Sequence, residues 1–519
     1  MIFKTQVKPF LKEEEHFAPL IPFSLPKKSK VLFASAEIFP LCRWSELADQ
    51  SSVLSGELRK SGTEIQVIQP LYRETLQSGL VFEDLHLPFK ITLDKDVFEG
   101  NFLKTLLPTG GVAILVDQPS FFDRLNVYGD NGGSSSRGFY ADNADRFAFF
   151  CHAVLMYLRL SDFKAEVIHC NDWATGLIPA LLKRVFQNET ALRSLKTVFS
   201  IHSLAQQGNF DGAMLPRTGL PWSSYNMHEM EFWGQVSFIK GGIVFADSVV
   251  LSSEHYCEKM LSPEWGFGLH GALQKRLGNL CGIKIGADFE HWNPEKDPAL
   301  VHNYSQKTIT KKKENKKEWL REFQMQGPET APLVFLMGSF RSYKGDAFFP
   351  SVLDVFLQLE ASFVWMAETE PGLLTLFEKY QGKSDKRWVC VHQTDETLLR
   401  RILAAADFLV IPGFFESAAM LQKYALRYGA IPIVSKMASF ADVVSLYDRR
   451  TGQGNAFCFE DHHSTSLLGK IISALNLFRD EEVKQKLLLN AMCVRLDWQN
   501  TVAKYHEVYQ YLKQNRTYE

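Results

Sequence analysis

Polar side chains follow two apolar, strand-like runs of the chain, where they would line one end of a sheet. Asp172 and Trp173 lie in HCNDWATGL, after the apolar run at 167–169, and His202 opens HSLAQQG after the run at 197–201. Ligands of parallel α/β sheets bind beyond the carboxyl ends of the strands, so two strands that end in this way predict a polar site. A single histidine at such a position also fits a structural, hydrogen-bonded role.

The second half of the chain places two charged groups in similar positions. Glu416 follows the apolar run at 408–411 and opens a helical pattern, and Lys344 follows the run at 333–337. A lysine there suits a phosphate group, and a carboxylate suits a sugar on which positive charge develops. Glu416 is equally compatible with a plain capping role, since negative charge is favourable at a helix N-terminus.

The first strand-like run leads into an unusual loop, in the stretch VLFASAEIFPLCRWSELADQ at 31–50. A strand, a loop and a helix in this order often form a phosphate site, where glycines let bare backbone N–H groups approach the anion. Here the loop reads Arg43-Trp44-Ser45-Glu46, without glycine and with one negative charge. The residues alone leave open whether this loop binds phosphate.

The bulk composition excludes several classes of protein. A formal net charge of −2 argues against a protein whose main task is to neutralise nucleic acid. No apolar run approaches the roughly 20 residues that span a bilayer, and the N-terminus does not read as a secretory signal. The 8 cysteines are scattered without a CxxC pair, which fits a reducing cytoplasm better than zinc or disulfides. We therefore expect no metal, no cofactor, no membrane contact and a cytoplasmic location.

Apolar β-like runs alternate with helical patterns in both halves of the chain. The runs lie at 31–34, 64–69, 112–116, 167–169, 197–201 and 248–251, and again at 333–337, 362–366, 388–392, 408–411 and 431–434. Such alternation predicts parallel sheets with crossover helices, and hence two doubly wound α/β units with a boundary near 293–294. If the two sheets face each other, the loops after their strands line a cleft. A lysine-rich stretch at 309–320 reads as a solvated helix.

The chain resembles the bacterial glycogen synthases and plant starch synthases. The resemblance runs from about residue 30 to about residue 461, and its most specific blocks are DRLNVYGD, YADNADRFAFF, HCNDWATGLIPALL, SIHSLAQQG, EFWGQVSFIKGGIVFAD, ADFEHWNPEKD and YALRYGAIPIV. These families are retaining glycosyltransferases of the GT-B fold, with two Rossmann-like domains that face each other across a cleft. They move glucose from ADP-glucose to the end of an α-1,4-glucan.

The resemblance implies a domain plan and a set of site residues. It predicts an arm at 1–29, a catalytic domain on the acceptor side at 30–293, a nucleotide-sugar domain at 294–480, and C-terminal helices at 481–519 that pack back on the first domain. The implied catalytic residues are Glu416, His202 and Asp172. The implied donor-binding residues are Lys344, Arg341, Asp49, Glu37, Arg43 and Gln422, and the implied acceptor or cleft residues are Tyr128 and Trp173.

The chain departs from the family pattern mainly on the side that binds the donor phosphates. The family's Lys-Thr-Gly-Gly-Leu loop is Arg43-Trp44-Ser45-Glu46-Leu47, and a phosphate-binding arginine of the family falls on Ser339. Glu46, Glu368 and Glu370 would bring negative charge towards a phosphate, and lost glycines would block close backbone approach.

These departures leave three functions open. The first is a glucan synthase that uses ADP-glucose and extends an α-1,4-glucan or maltooligosaccharide with retention. The second is an impaired or inactive relative that binds glucan or regulates another synthase. The third is a GT-B enzyme with an altered donor. The oligomeric state is not predicted.

Overall fold

The computed structural model describes residues 29–129, 139–337, 352–366, 378–381, 386–391, 395–412, 419–435, 443–460, 463–495 and 498–514. The chain divides into two compact units, Met1–Gly286 together with Asp497–Glu519, and Ala287–Leu496. Among the described residues, no helix has the length and apolar character needed to cross a bilayer.

The first unit contains one large, mostly parallel sheet and one small antiparallel sheet. Its strands are β1 (Lys30–Ala34), β2 (Glu64–Pro70), β3 (Glu83–Asp84), β4 (Phe89–Leu93), β5 (Asp96–Leu106), β6 (Val112–Asp117), β7 (Val167–Asn171), β8 (Lys196–Ile201), β9 (Asn209–Asp211), β10 (Glu231–Phe232), β11 (Gln235–Ser237), β12 (Ser248–Leu251) and β13 (Leu280–Gly282). The order in the large sheet is β13-β12-β8-β7-β1-β2-β6-β5-β3, with β4 paired to β5, and pairing is antiparallel only beyond β6. Strands β10, β11 and β9 form a separate small antiparallel sheet.

Crossover helices connect these strands, as the alternating pattern predicts. They are α1 (Glu46–Lys60), α2 (Arg73–Leu76), α3 (Pro119–Phe122), α4 (Asn143–Leu160), α5 (Leu177–Arg184), α6 (Phe238–Phe245), α7 (Glu254–Met260) and α8 (His270–Gln274). Helix α1 begins where Ser45 accepts a hydrogen bond from the Leu47 N–H, and it ends with Arg59 and Lys60 in the last turn. Both features are favourable at their respective helix ends.

The second unit contains a sheet of six parallel strands. They are β14 (Leu333–Met337), β15 (Ser362–Met366), β16 (Trp388–Val391), β17 (Phe408–Ile411), β18 (Ile431–Ser435) and β19 (Phe457–Phe459), in the order β16-β15-β14-β17-β18-β19. Its helices are α9 (Lys312–Glu322), α10 (Leu353–Phe356), α11 (Glu396–Ala405), α12 (Ala419–Arg427), α13 (Ser464–Phe478) and α14 (Glu481–Met492). Strands covered on both faces read as continuous apolar runs, which is why the sequence located them.

The unit boundaries differ from the predicted domain plan at two places. The division lies after Gly286 rather than near residue 293, because Trp292 packs on the second unit, its ring stacked 4.0 Å from that of Tyr424. Of the segment 481–519, α14 contacts α12 and α13 and so stays in the second unit. The last helix, α15 (Trp498–Gln514), belongs to the first unit.

Helix α15 completes the core of the first unit. Val502, Tyr505, Tyr509 and Leu512 pack in one cluster with apolar residues of β1, β7 and β8, including Phe33. The lysines of α9 are a second difference from expectation: the sequence predicts a solvated helix, but Lys312 and Lys316 are buried. Lys312 donates to the carbonyls of Leu403 and Ala404, and Lys316 forms an ion pair of 2.7 Å with Asp407.

Candidate active site

The candidate site of the first unit lies where three neighbouring strands end. Strand β1 pairs with β7, and β7 pairs with β8, all in parallel. Their carboxyl ends therefore lie side by side, and the loops after them carry Glu37, Asp172 and His202. The sheet topology thus brings together residues that are 165 positions apart in the sequence.

His202 is held in one tautomer. Its Nε2 lies 3.0 Å from Oδ1 of Asn171, and the Asn171 amide is oriented by donating from Nδ2 to the carbonyl of Ala34 at 3.0 Å. Since Oδ1 can only accept, Nε2 carries the proton and Nδ1 keeps a lone pair. Burial lowers the pKa of His202 to about 4, so the ring is neutral at physiological pH.

The Nδ1 atom of His202 is the feature of this site that indicates a ligand. Its Nδ1 is buried and has no hydrogen-bond partner among the residues that the structure describes. A buried polar atom without a partner costs free energy, so its presence in a native protein needs an explanation such as a bound ligand or water. The arrangement can accept a hydrogen bond from a hydroxyl group of a bound molecule.

Asp172 positions the loop that carries His202. Its Oδ1 accepts from the backbone N–H of His202 at 2.7 Å and from that of Ser203 at 3.3 Å. Burial raises the pKa of Asp172 to about 7, although these two hydrogen bonds oppose the rise. Its φ of +54° is rare for a residue with a side chain, and such strain is typical of functional loops.

Trp173 and Tyr128 pack beneath the surface of the site and do not offer open ring faces to a ligand. Both are nearly buried, and their ring centroids lie 5.7 Å apart. A Cβ atom on Gly208, which has a φ of +57°, would approach the Trp173 ring to 2.3 Å. The Trp173 ring therefore requires glycine at position 208, in the loop that begins with His202.

The loop after β1 is organised around a buried carboxylate, Glu37. One oxygen accepts from the backbone N–H groups of Trp44 at 2.9 Å and Ser45 at 2.6 Å, and the other accepts from the hydroxyls of Ser45 and Tyr128, both at 2.9 Å. Burial raises the pKa of Glu37, against the effect of these four hydrogen bonds. The N–H groups that a phosphate loop would offer to its ligand are here donated to the protein's own carboxylate.

Arg43 and Asp49 form the outer part of the same loop. The guanidinium donates from Nε and Nη2 to one oxygen of Asp49, at 3.1 and 2.9 Å, and remains about one-third exposed. Glu37, Arg43 and Asp49 thus lie together, as three of the six predicted donor-binding residues. Arg43 is the cation that this loop can present to an anion.

The remaining predicted site residues belong to the second unit. Gln422 is buried on α12, which follows β17. Glu416, Lys344 and Arg341 lie outside the described residues, as do Ser339, Glu368 and Glu370. Their roles stay predictions. Among the residues that the structure does describe, no three His, Cys, Asp or Glu side chains are grouped as metal ligands would be.

Sequence reasoning missed Asn171 and His169. Asn171 fixes His202, and its signal in the sequence was its place at the end of β7, directly before Asp172. His169 lies between Tyr509 of α15 and Ser200, with 2.7 Å to each hydroxyl, and burial lowers its pKa to about 3. No local pattern indicates the contact with Tyr509, since that residue is 340 positions away.

Known proteins are similar to this chain over most of its length. Residues 30–275 match the family model of the starch synthase catalytic domain. The chain is 32% identical over 488 residues to glycogen synthase 2 of Geobacter metallireducens, covering 94% of this chain and 99% of that protein. The chain belongs to the glycogen and starch synthase family. A glycogen synthase of Moorella thermoacetica is 33% identical over 484 residues, which cover 93% of this chain and 96% of the relative.

Solved structures extend the comparison to the whole fold of this family. The catalytic domain of starch synthase IV from Arabidopsis thaliana, bound to ADP and acarbose, matches with a TM-score of 0.83 and 25% identity, covering 94% of this chain and 100% of that one. Sucrose-phosphate synthase from Thermosynechococcus elongatus, at 14% identity and a TM-score of 0.57, shares the fold. The predicted GT-B fold is confirmed, and the chain is a glycogen/starch synthase-like glycosyltransferase.

Proposed function

We propose that the protein transfers glucose from ADP-glucose to the non-reducing end of an α-1,4-glucan, with retention at the anomeric carbon. The observation that carries this proposal is the buried Nδ1 of His202, which has no hydrogen-bond partner in the described part of the chain. A neutral acceptor held by Asn171 suits a sugar hydroxyl. Because it is uncharged, it adds no charge beside the departing diphosphate. The family membership supports the same donor and acceptor.

In the proposed reaction, the bond between the anomeric carbon and the diphosphate oxygen breaks and ADP leaves. A glucan hydroxyl oxygen bonds to that carbon, and its proton passes to the departing diphosphate. His202 orients the glucosyl unit through Nδ1, and Asp172 keeps His202 in place through the loop backbone. Glu416 and Lys344, from the resemblance, are proposed to stabilise the positive charge on the sugar and the negative charge on ADP. A cytoplasmic location stays a prediction.

The test is release of ADP from ADP-glucose in the presence of glycogen. The parent should release ADP in proportion to glycogen, and Glu416→Ala should reduce the rate to background. Ser52→Ala, on the middle of α1, serves as a control that should behave like the parent. Background rates from both parent and Glu416→Ala would contradict the proposal.

An altered donor is the second candidate, and Glu37 is the observation that favours it. Its carboxylate already accepts the N–H groups of Trp44 and Ser45, so a diphosphate at this loop faces a negative charge and fewer donors. Under this candidate, glucose 1-phosphate, which carries no diphosphate, supports glucan extension at a higher kcat/KM than ADP-glucose. A preference for ADP-glucose would contradict it.

A further inference from the structure

The hairpin between β10 and β11 carries an unusual residue at its tip. Phe232 pairs with Gln235, so Trp233 and Gly234 alone form the connecting turn. Both have positive φ, 53° and 78°, as the central residues of a type I′ turn do. This turn favours Asn-Gly, since asparagine and glycine tolerate the left-handed region. A tryptophan at its first central position is conformationally unfavourable.

Packing does not compensate for this conformation. The Trp233 side chain is 83% exposed, and its nearest ring contact is the edge-to-face one with Phe232, at 6.3 Å between centroids. A Cβ on the next residue, Gly234, would meet nothing within 4 Å, so the turn is not crowded. A strained and exposed large ring is better explained by a ligand than by the stability of the fold.

A second exposed indole lies beside this turn. Trp222 is 58% exposed, and its ring contacts that of Tyr225 edge to face at 5.9 Å. The Tyr225 hydroxyl donates to the carbonyl of Gly234 at 2.8 Å, which ties this pair to the turn. We call Trp222, Tyr225, Phe232 and Trp233 the aromatic platform.

Three charged groups near the platform in the sequence are already engaged. The Glu231 carboxylate accepts the Gly234 N–H at 2.8 Å, and Lys240 donates to the carbonyl of Met227 at 2.8 Å. Glu229 is ion-paired with Arg184. A platform of indole faces without a basic groove does not suit nucleic acid, which requires phosphate neutralisation. It suits a neutral ligand with apolar C–H faces and hydroxyl edges, such as a sugar chain.

The platform is continuous with the candidate active site. Val236 of β11 pairs with Phe210 of β9, and the Phe210 ring lies 5.9 Å from that of Trp173. Val236 lies three positions after Trp233, so the two Cα atoms are at most about 11 Å apart. The platform therefore lies close enough to the candidate site for one oligosaccharide chain to extend from one to the other.

We propose that Trp233, together with Trp222, binds an α-glucan chain by ring stacking and so holds a polymeric acceptor near the transfer site. The identity of the ligand as glucan rests on the proposed function. The stacking surface itself rests on the turn conformation and the exposure of the two indoles.

The test uses the full chain with glycogen and with maltoheptaose, in the absence of any nucleotide. Trp233→Asn should weaken glycogen binding at least tenfold in affinity electrophoresis, while its melting temperature equals or exceeds that of the parent, because asparagine suits the turn. Trp222→Ala should weaken binding at least threefold. Val81→Asn, which changes an exposed apolar residue elsewhere in the first unit, should bind glycogen as the parent does.

Two outcomes would overturn the inference. One is glycogen affinity of Trp233→Asn equal to that of the parent. The other is loss of self-association in Trp233→Asn, by analytical ultracentrifugation, without loss of glycogen binding. The result is separable from the proposed function, since a parent that binds glycogen but releases no ADP contradicts only the transfer activity. A parent that releases ADP while Trp233→Asn binds glycogen normally contradicts only the platform.

Discussion

Asn171 determines the tautomer of His202. The amide of Asn171 cannot flip, because its Nδ2 donates to the carbonyl of Ala34, so its Oδ1 accepts the proton of His202 Nε2 at 3.0 Å. The ring therefore keeps a lone pair on Nδ1, for which the described residues supply no hydrogen-bond donor.

Replacing His202 by phenylalanine removes this acceptor and keeps a ring of similar size. We expect kcat for glucan extension to fall about 100-fold, as when one positioned hydrogen-bonding group is removed from an active site. The measurement is steady-state ADP release at saturating glycogen. Ser203→Ala keeps the backbone N–H that Asp172 accepts, so it should retain kcat within a factor of two. Equal losses in both variants would indicate a general loosening of the loop instead.

Asp172→Asn should change how stability depends on pH. The carboxyl is raised to a pKa of about 7 in the folded protein, so the folded state binds a proton between about pH 4 and 7 that the unfolded state has released. The parent therefore loses stability as pH rises through this window, by up to about 4 kcal/mol in total. Asparagine has no ionisable carboxyl group, so Asp172→Asn should not show this loss of stability.

The melting temperatures of parent and Asp172→Asn, compared at pH 5 and pH 8, check this expectation. The parent should lose more than the variant between the two pH values, and the comparison cancels the opposite contribution of His202. Parallel changes in both proteins would mean that Asp172 is ionised throughout.

Glu37→Gln should strengthen ADP binding about tenfold, because it removes a buried negative charge beside the opening loop. Glutamine still offers one oxygen to the N–H groups of Trp44 and Ser45, and the hydroxyls of Ser45 and Tyr128 can accept from its amide. Calorimetric titration with ADP measures the change. Glu57→Gln, near the C-terminal end of α1, the helix that follows this loop, is the matched control and should leave affinity unchanged. An unchanged affinity in Glu37→Gln would show that the loop does not reach the phosphates.

Tyr509→Phe should lower the free energy of unfolding by about 1–3 kcal/mol, because it leaves Nδ1 of the buried His169 without its partner. Urea denaturation of the full chain measures this effect. Tyr511→Phe changes a side chain that is 44% exposed on the same helix, and it should alter stability by less than about 0.5 kcal/mol. The same loss in both variants would assign the effect to the helix surface.

Much of the fold was predictable, because strands buried on both faces leave continuous apolar runs. The runs at 167–169 and 197–201 lie within strands β7 and β8, and their loops carry Asp172 and His202 as predicted. Local patterns also located the helix that begins after Ser45. These features depend on residues close in sequence, which is why a single sequence reveals them.

Other features depend on contacts that no local pattern encodes. Glu37 turns inward and accepts from a loop seven and eight residues later, which the absence of glycine alone did not reveal. Lys312 reads as a surface residue within a lysine-rich stretch, yet it donates to carbonyls of Leu403 and Ala404. The boundary after Gly286 depends on Trp292 stacking with Tyr424, 132 residues away.

The placement of helix α15 in the first unit has a consequence for synthesis of the chain. The ribosome must complete the second unit, residues 287–496, before Val502, Tyr505 and Tyr509 exist to cover the first unit's core. At about 5–20 residues per second, this delay is roughly 10–40 s. During that time the nascent first unit exposes an apolar face, so a chain that ends at residue 496 should bind an apolar fluorescent dye that the full chain does not.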